Sequence, residues 1–270
     1  MSRVAPIAGC LLIVLLGSVA PPSATQETRM ATGFLYKTIT LDGETYAYSV
    51  FVPPEYAPDR PWPAILFLHG SGERGSDGFL QTEVGLGTAI RRNYRRIPAI
   101  VVMPQARPGN LWLGPMAVMA MRCLEATVRE YRIDPQRIYL TGLSMGGQGV
   151  WILAAEYPDR FAAVMPLCGF AELDTKTGVA EHIAHRVKAI PIWCFHGDAD
   201  TAVPVTKTRE MVELIRKAGG NVQYTEYKDT GHGIWDRTYN DPAVWNWLFA
   251  QRLGASDSVS APPGNERPGV

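Results

Sequence analysis

The chain has 270 residues, 46% of them apolar, and acidic and basic side chains balance at 26 each. That length holds one large domain or two small ones, with apolar residues enough for one sizeable core. The charge balance excludes a global field that would draw in nucleic acid or an anionic membrane. The basic cluster "RRNYRR" at 91–96 reads as the solvated end of a helix, where cations complement the dipole.

In chain order, Arg3 precedes the apolar stretch "VAPIAGCLLIVLLGSVA", and Pro- and Ser-rich sequence follows. This is the layout of a secretory signal peptide, assigned to residues 1–24 with cleavage somewhere between 20 and 31. Pro6 and the shortness of the run argue against a spanning helix. Most of the run follows Cys10, which argues against lipidation. The expectation is a secreted or periplasmic protein with no stable membrane association once the signal is removed. Three cysteines then remain: Cys123, Cys168 and Cys194. An odd, sparse set is not a disulfide framework. Cys168 and Cys194 each end a predicted strand and are read either as one bridge or as buried thiols. The tail at 254–270 has almost nothing to bury and is predicted to be disordered.

Between these ends, "FLYKTIT" and "ETYAYSVFV" flank an Asp-Gly turn signal and predict an antiparallel hairpin. Six apolar runs follow: 63–69, 98–104, 137–142, 161–169, 190–197 and 222–227. Most are continuous rather than alternating, as in strands covered on both faces. Helical stretches separate them, among them 114–131, 145–157 and 206–220. The alternation predicts an α/β fold: a mostly parallel sheet, helices on both faces, one domain over 33–252. Active groups then belong at the carboxyl ends of the strands.

"TGLSMGGQG" at 141–149 lies between a predicted strand and a predicted helix, with Gly142 and Gly146 flanking Ser144. A Gly-x-Ser-x-Gly match arises by chance in about one chain in ten of this composition, so the context carries the signal. A sharp strand-to-helix turn presents the hydroxyl above the sheet, and Gly147 lets helix and strand approach. Serine needs a base to act as a nucleophile. His182 and His185 sit three apart on a predicted surface helix and make a poor metal pair without a third ligand. His69 and His196 precede glycines at strand ends, where packing accounts for them. His232, in the glycine-bounded "GHG" loop, suits a general base. The acid that orients it falls in "HGDADTAVP", where chain order allows either Asp198 or Asp200.

These residues resemble the α/β-hydrolase superfamily, within it the secreted carboxylesterase and predicted-peptidase group related to dienelactone hydrolases and phospholipase/carboxylesterases. The resemblance covers roughly residues 33–252 and rests on "LFLHGSGERG", "GLSMGGQG", "FHGDADTAVPV" and "GHG". It implies an α/β-hydrolase fold and a triad of Ser144, Asp200 and His232, with Asp200 as the acid. It also implies an oxyanion hole made by the backbone N–H groups of Ser71 and Met145. Glu73 and Arg74, in the shared "GERG" segment, either stiffen the oxyanion loop or touch substrate. Gln105 and Trp112 either line the cleft or pack its loop. Glu73, Gln105 and Trp112 are the expected substrate-binding residues. The implied function is hydrolysis of short-acyl or aryl carboxylic esters, small or polymer-linked, with no metal or organic cofactor. The alternatives are a serine peptidase and a non-catalytic binding module on the same scaffold.

Overall fold

The first two strands, β1 (Gly33–Leu41) and β2 (Glu44–Val52), pair antiparallel around Asp42 and Gly43. Both turn residues have positive φ, 52° and 83°, the conformation of a type I′ turn and the reason for an Asp-Gly pair there. The computed structural model describes residues 30–172 and 178–254, together with Met1. Apart from Met1, Met30, Ala31 and Gly254, the expected signal peptide with its cleavage region and the expected tail lie outside the described residues. The chain divides into two compact units, Met1–Met30 and Ala31–Val270. The second carries the sheet and its helices.

Six further strands complete the sheet: β3 (Trp62–Leu68), β4 (Ile100–Pro104), β5 (Ile133–Leu143), β6 (Ala163–Leu167), β7 (Ile192–Gly197) and β8 (Val222–Tyr227). Their spatial order is β1-β2-β4-β3-β5-β6-β7-β8, and all pairs from β4 to β8 are parallel. Since β2 is antiparallel to both neighbours, it alone runs against the others. The apolar runs are continuous because each strand feeds two cores. Ala64, Leu66 and Leu68 of β3 point into one, Ile65 and Phe67 into the other.

Helices α1 (Leu86–Asn93), α6 (Trp235–Tyr239) and α7 (Pro242–Ala250) supply Leu86, Ile90, Tyr239 and Trp245 to one face. Helices α2 (Pro115–Glu130), α3 (Met145–Glu156), α4 (Val179–Val187) and α5 (Thr206–Lys217) cover the other with Met119, Val150, Ile183 and Met211. Arg91 and Arg92 of the basic cluster occupy the last turn of α1. After α7 the chain returns to the start of β5: Tyr139 donates to the Gln251 carbonyl at 2.9 Å and the Leu253 N–H to that of Gln136 at 2.9 Å.

The chain visits β4 on one side of β3 and then crosses to β5 on the other. Such a reversal opens a crevice at the carboxyl ends of the central strands. The segments after β3 and β5 both open there, since Leu68 is level with Gly142.

Burial predicts the stability response. Leu140→Ala, at a fully buried position in β5, should lower the unfolding free energy by about 3 kcal/mol. Glu130→Gln breaks only the half-exposed ion pair with Lys37 and should cost less than about 1 kcal/mol. Urea denaturation of both variants checks the contrast.

Candidate active site

β5 ends at Leu143 and α3 begins at Met145, so a single residue makes the turn. That residue, Ser144, has φ 55° and ψ −118°, a combination that non-glycine residues adopt only when their surroundings enforce it. Two features enforce it here. The Ser144 N–H still bonds the Leu167 carbonyl of β6 at 2.9 Å, and its own carbonyl accepts the first helical bond from Gln148 at 3.0 Å. The backbone on either side is also packed to contact. A Cβ on Gly146 would overlap the Leu68 carbonyl oxygen of β3, and one on Gly147 would lie 2.6 Å from the Leu167 carbonyl oxygen. Only glycine permits this docking of helix on sheet.

The loop from β8 to α6 brings His232 over the turn. Its Nε2 lies 2.8 Å from Ser144 Oγ and its Nδ1 2.6 Å from Asp200 Oδ2. Asp200 stands in the loop between β7 and α5, and its other oxygen accepts the N–H groups of Ala202 at 2.8 Å and Val203 at 2.9 Å. Burial disfavours the ionised carboxylate. The bonds from His232, Val203 and Ala202 outweigh it and hold the group below its ordinary pKa. Asp198 is used elsewhere: its Oδ1 accepts the Thr230 N–H at 3.3 Å, bracing the two loops together. Trp235, which no sequence motif marks, sets its ring at 90° to the His232 imidazole, 5.6 Å between centroids.

Such an arrangement can move a proton from a hydroxyl to an imidazole that a carboxylate steadies. Comparison with known proteins agrees with this chemistry. A family model described as phospholipase/carboxylesterase matches residues 118–243. The chain is 24% identical over 268 residues to an uncharacterized secreted protein of Arthroderma benhamiae, covering 84% of this chain and 28% of that one. It is 25% identical over 213 residues to poly(3-hydroxyalkanoate) depolymerase C of Paucimonas lemoignei, covering 66% and 50%. The solved structure of a thermostable esterase, 33% identical, superposes with a TM-score of 0.72 over 81% of this chain and 63% of that one. The chain has the α/β-hydrolase fold. It spans less than two thirds of each of these three relatives.

On this fold the other residues singled out in the sequence fall into two groups. Ser71 opens a 3₁₀ turn just after β3 and is exposed, and Met145 is the first residue of α3. The N–H groups of a helix's first turn have no carbonyl within the helix to bond. The expected substrate contacts lie behind this edge instead. Trp112 is 0% and Gln105 2% exposed, so neither reaches a cleft surface. Trp112 donates to the His69 carbonyl at 3.0 Å, and Gln105 bonds the Glu73 carbonyl, the Asp77 carboxylate and the Gly78 N–H. Burial raises the pKa of the Glu73 carboxyl, and the nearby backbone of Gly70 offsets part of this. Arg74 donates to the Asn110 carbonyl at 2.6 Å. No ion pair joins Glu73 to Arg74 among the described residues; the Arg74 bond ties the loop after β3 to the loop after β4.

His69 completes the brace. Its Nε2 accepts the Ala106 N–H at 3.0 Å, which leaves the proton on Nδ1 to donate to the Gly70 carbonyl at 2.6 Å. Burial lowers its pKa to about 4, and the bond to Gly70 offsets only part of this, so the ring is neutral in ordinary buffers. His182 and His185 are exposed on α4. The three described cysteines are free and buried, so Cys168 and Cys194 form no bridge. Among the described residues, Cys168, His196 and Asp200 place ligand atoms within 4.8 Å of one another. A cation there would compete with the hydrogen bonds that Asp200 already accepts.

The docking of α3 predicts the consequence of the smallest added side chain. Gly146→Ala must push Leu68 away from the turn. The variant should therefore lose reaction with a fluorophosphonate probe at Ser144, while its far-UV circular dichroism keeps the wild-type shape.

Proposed function

We propose that the chain is a serine hydrolase of carboxylic esters. The observation that supports this best is the chain of short contacts from Ser144 Oγ through His232 to Asp200, set on a strained turn above the sheet. In this reading Ser144 Oγ attacks the acyl carbon as His232 Nε2 takes its proton. The carbonyl π electrons move onto oxygen, where the N–H groups of Ser71 and Met145 receive the charge. Collapse breaks the bond to the alcohol oxygen, which leaves with the proton from His232. Water then attacks the acyl-serine with His232 again as base, freeing the acid and restoring Ser144. Asp200 holds the imidazole with Nδ1 protonated throughout and steadies its cation.

The substrate reading follows from exposure. Ser144 and His232 are half-exposed and Ser71 is exposed. Between β6 and β7 the one described helix, α4, is committed to the core through Ala180, Ile183, Ala184 and Val187. A shallow site leaves a long acyl chain in water, forfeiting about 0.8 kcal/mol per methylene. Short acyl groups, or aryl esters carried on larger polymers, suit it. Export belongs to the same reading and rests on the Arg3-led apolar N-terminus; among the described residues no helix is long and apolar enough to cross a membrane.

Ser144→Ala should lower kcat on p-nitrophenyl acetate by at least about 10⁴-fold without loss of fold. Across acyl lengths from acetyl to palmitoyl, kcat/KM should peak at the short end with no jump above the critical micelle concentration. A maximum at palmitoyl would overturn the short-acyl reading.

The two aspartates give an independent check. Asp200→Asn should cost about 10³–10⁴-fold in kcat, because the amide cannot hold the useful tautomer. Asp198→Asn should cost less than about tenfold, since the amide oxygen can still accept the Thr230 N–H. Activity that survived in Asp200→Asn would remove Asp200 from its role.

A further inference from the structure

Asp200 Oδ2 has a second imidazole at its disposal. His196, the penultimate residue of β7, is 0% exposed. Its Nε2 lies 3.1 Å from Asp200 Oδ2 and 2.9 Å from the Val203 carbonyl oxygen. Both neighbours are acceptors, so Nε2 carries a proton. On the other side of the ring, Nδ1 is 2.7 Å from Thr208 Oγ1 in the first turn of α5. With that proton placed by its two acceptors, a neutral ring accepts at Nδ1 from the Thr208 hydroxyl, which also has the Gly169 carbonyl oxygen 3.1 Å away as an alternative acceptor. Burial favours the neutral ring, against the pull of the Val203 carbonyl and Asp200.

We propose that His196 is a positioning residue for Asp200: by donating to the same oxygen that meets His232, it aims that oxygen and moderates its strength as an acceptor. The inference rests on the reading of Ser144, His232 and Asp200 as a triad. The carboxylate is then fixed by Ala202, Val203 and His196 whether or not His232 is engaged. Sharing Oδ2 between two N–H donors weakens the hold on each. Positive charge arriving on His232 during proton transfer is stabilised less than it would be by an unshared oxygen. His196 thereby lowers the acid limit of activity. The groups facing it fit this role. Besides Asp200, Cys168 approaches from β6, His232 from the loop after β8, and Glu226 from β8 beside it, the last paired with Arg209. Cys168 is held protonated by burial, and the Glu226 charge is matched by its arginine.

Two amides of different reach separate positioning from packing. In His196→Gln the amide nitrogen can stand where Nε2 stood and keep the bond to Asp200. In His196→Asn the shorter amide reaches Thr208 only. The expected result for His196→Asn is an acid limb of kcat/KM moved up by about one pH unit, hence about tenfold lower kcat/KM at low pH. KM should be unchanged and the high-pH plateau retained. His196→Gln should restore the wild-type profile. Thr208→Val, which leaves His196 in place but frees its ring, should shift the limb the same way by less, and it carries the test if His196→Asn does not fold. If none of these variants moves the limb, or if the Asn and Gln variants lose activity equally at every pH, His196 only packs the loop and the proposal is overturned. Ser144→Ala, assayed alongside, separates this failure from that of the triad. Activity retained there would overturn both, whereas an inactive Ser144→Ala with unmoved His196 profiles overturns this proposal alone.

Discussion

Everything at the candidate site depends on how closely the first turn of α3 approaches the end of β3. The backbone at Gly146 lies against the Leu68 carbonyl with no room for a methyl group. This contact leaves Ser144 no relaxed conformation, because the residue must finish a strand and start a helix within one step. Strain of this kind costs about 1–3 kcal/mol and persists because the β5 ladder and the α3 packing outweigh it. The same approach brings the backbone of Gly146 against the His69 carbonyl. Loosening it would disturb the turn at Ser144 and the start of the loop after β3 together.

A second layer of order surrounds the carboxylate. Asp200 could not stay ionised in a buried loop without donors, and the fold supplies them from three places: its own loop, the end of β7 and the loop after β8. The His69 brace behind the oxyanion turn follows the same logic, with a buried imidazole whose two nitrogens are both used. In both cases a histidine next to a glycine at a strand end serves as a spacer between backbone and loop, and burial favours its neutral form.

The sheet was legible because β3, β4 and β6 are buried on both faces, which writes an unbroken apolar run into the sequence. The hairpin was legible because Asp42 and Gly43 had to take positive φ. Helices α6 and α7 carried no such mark. Trp245 and Leu248 are buried in α7, but the nine residues are apolar nearly all round, so no stripe stands out. At the site, Ser144 could be found because its glycines are sterically required. Asp198 and Asp200 could not be told apart, since both precede His232 in the chain and only the folded loop shows which is occupied with Thr230. Gln105 and Trp112 looked like cleft residues because their loop follows the carboxyl end of β4, yet their polar atoms are spent on the back of the loop after β3. The bond from His196 to Asp200 left no trace, being made only when the loop of residues 198–203 folds back on β7.

The return of the chain to the foot of β5 after α7 has a practical side. Gln136, which the Leu253 N–H bonds, is eight residues before Ser144 along one strand. At about 3.3 Å per residue that is roughly 26 Å, with the whole sheet between them. A surface or carrier coupled at Gly254 itself would therefore meet the end of β5 opposite Ser144 and leave the face that bears the serine turned outward.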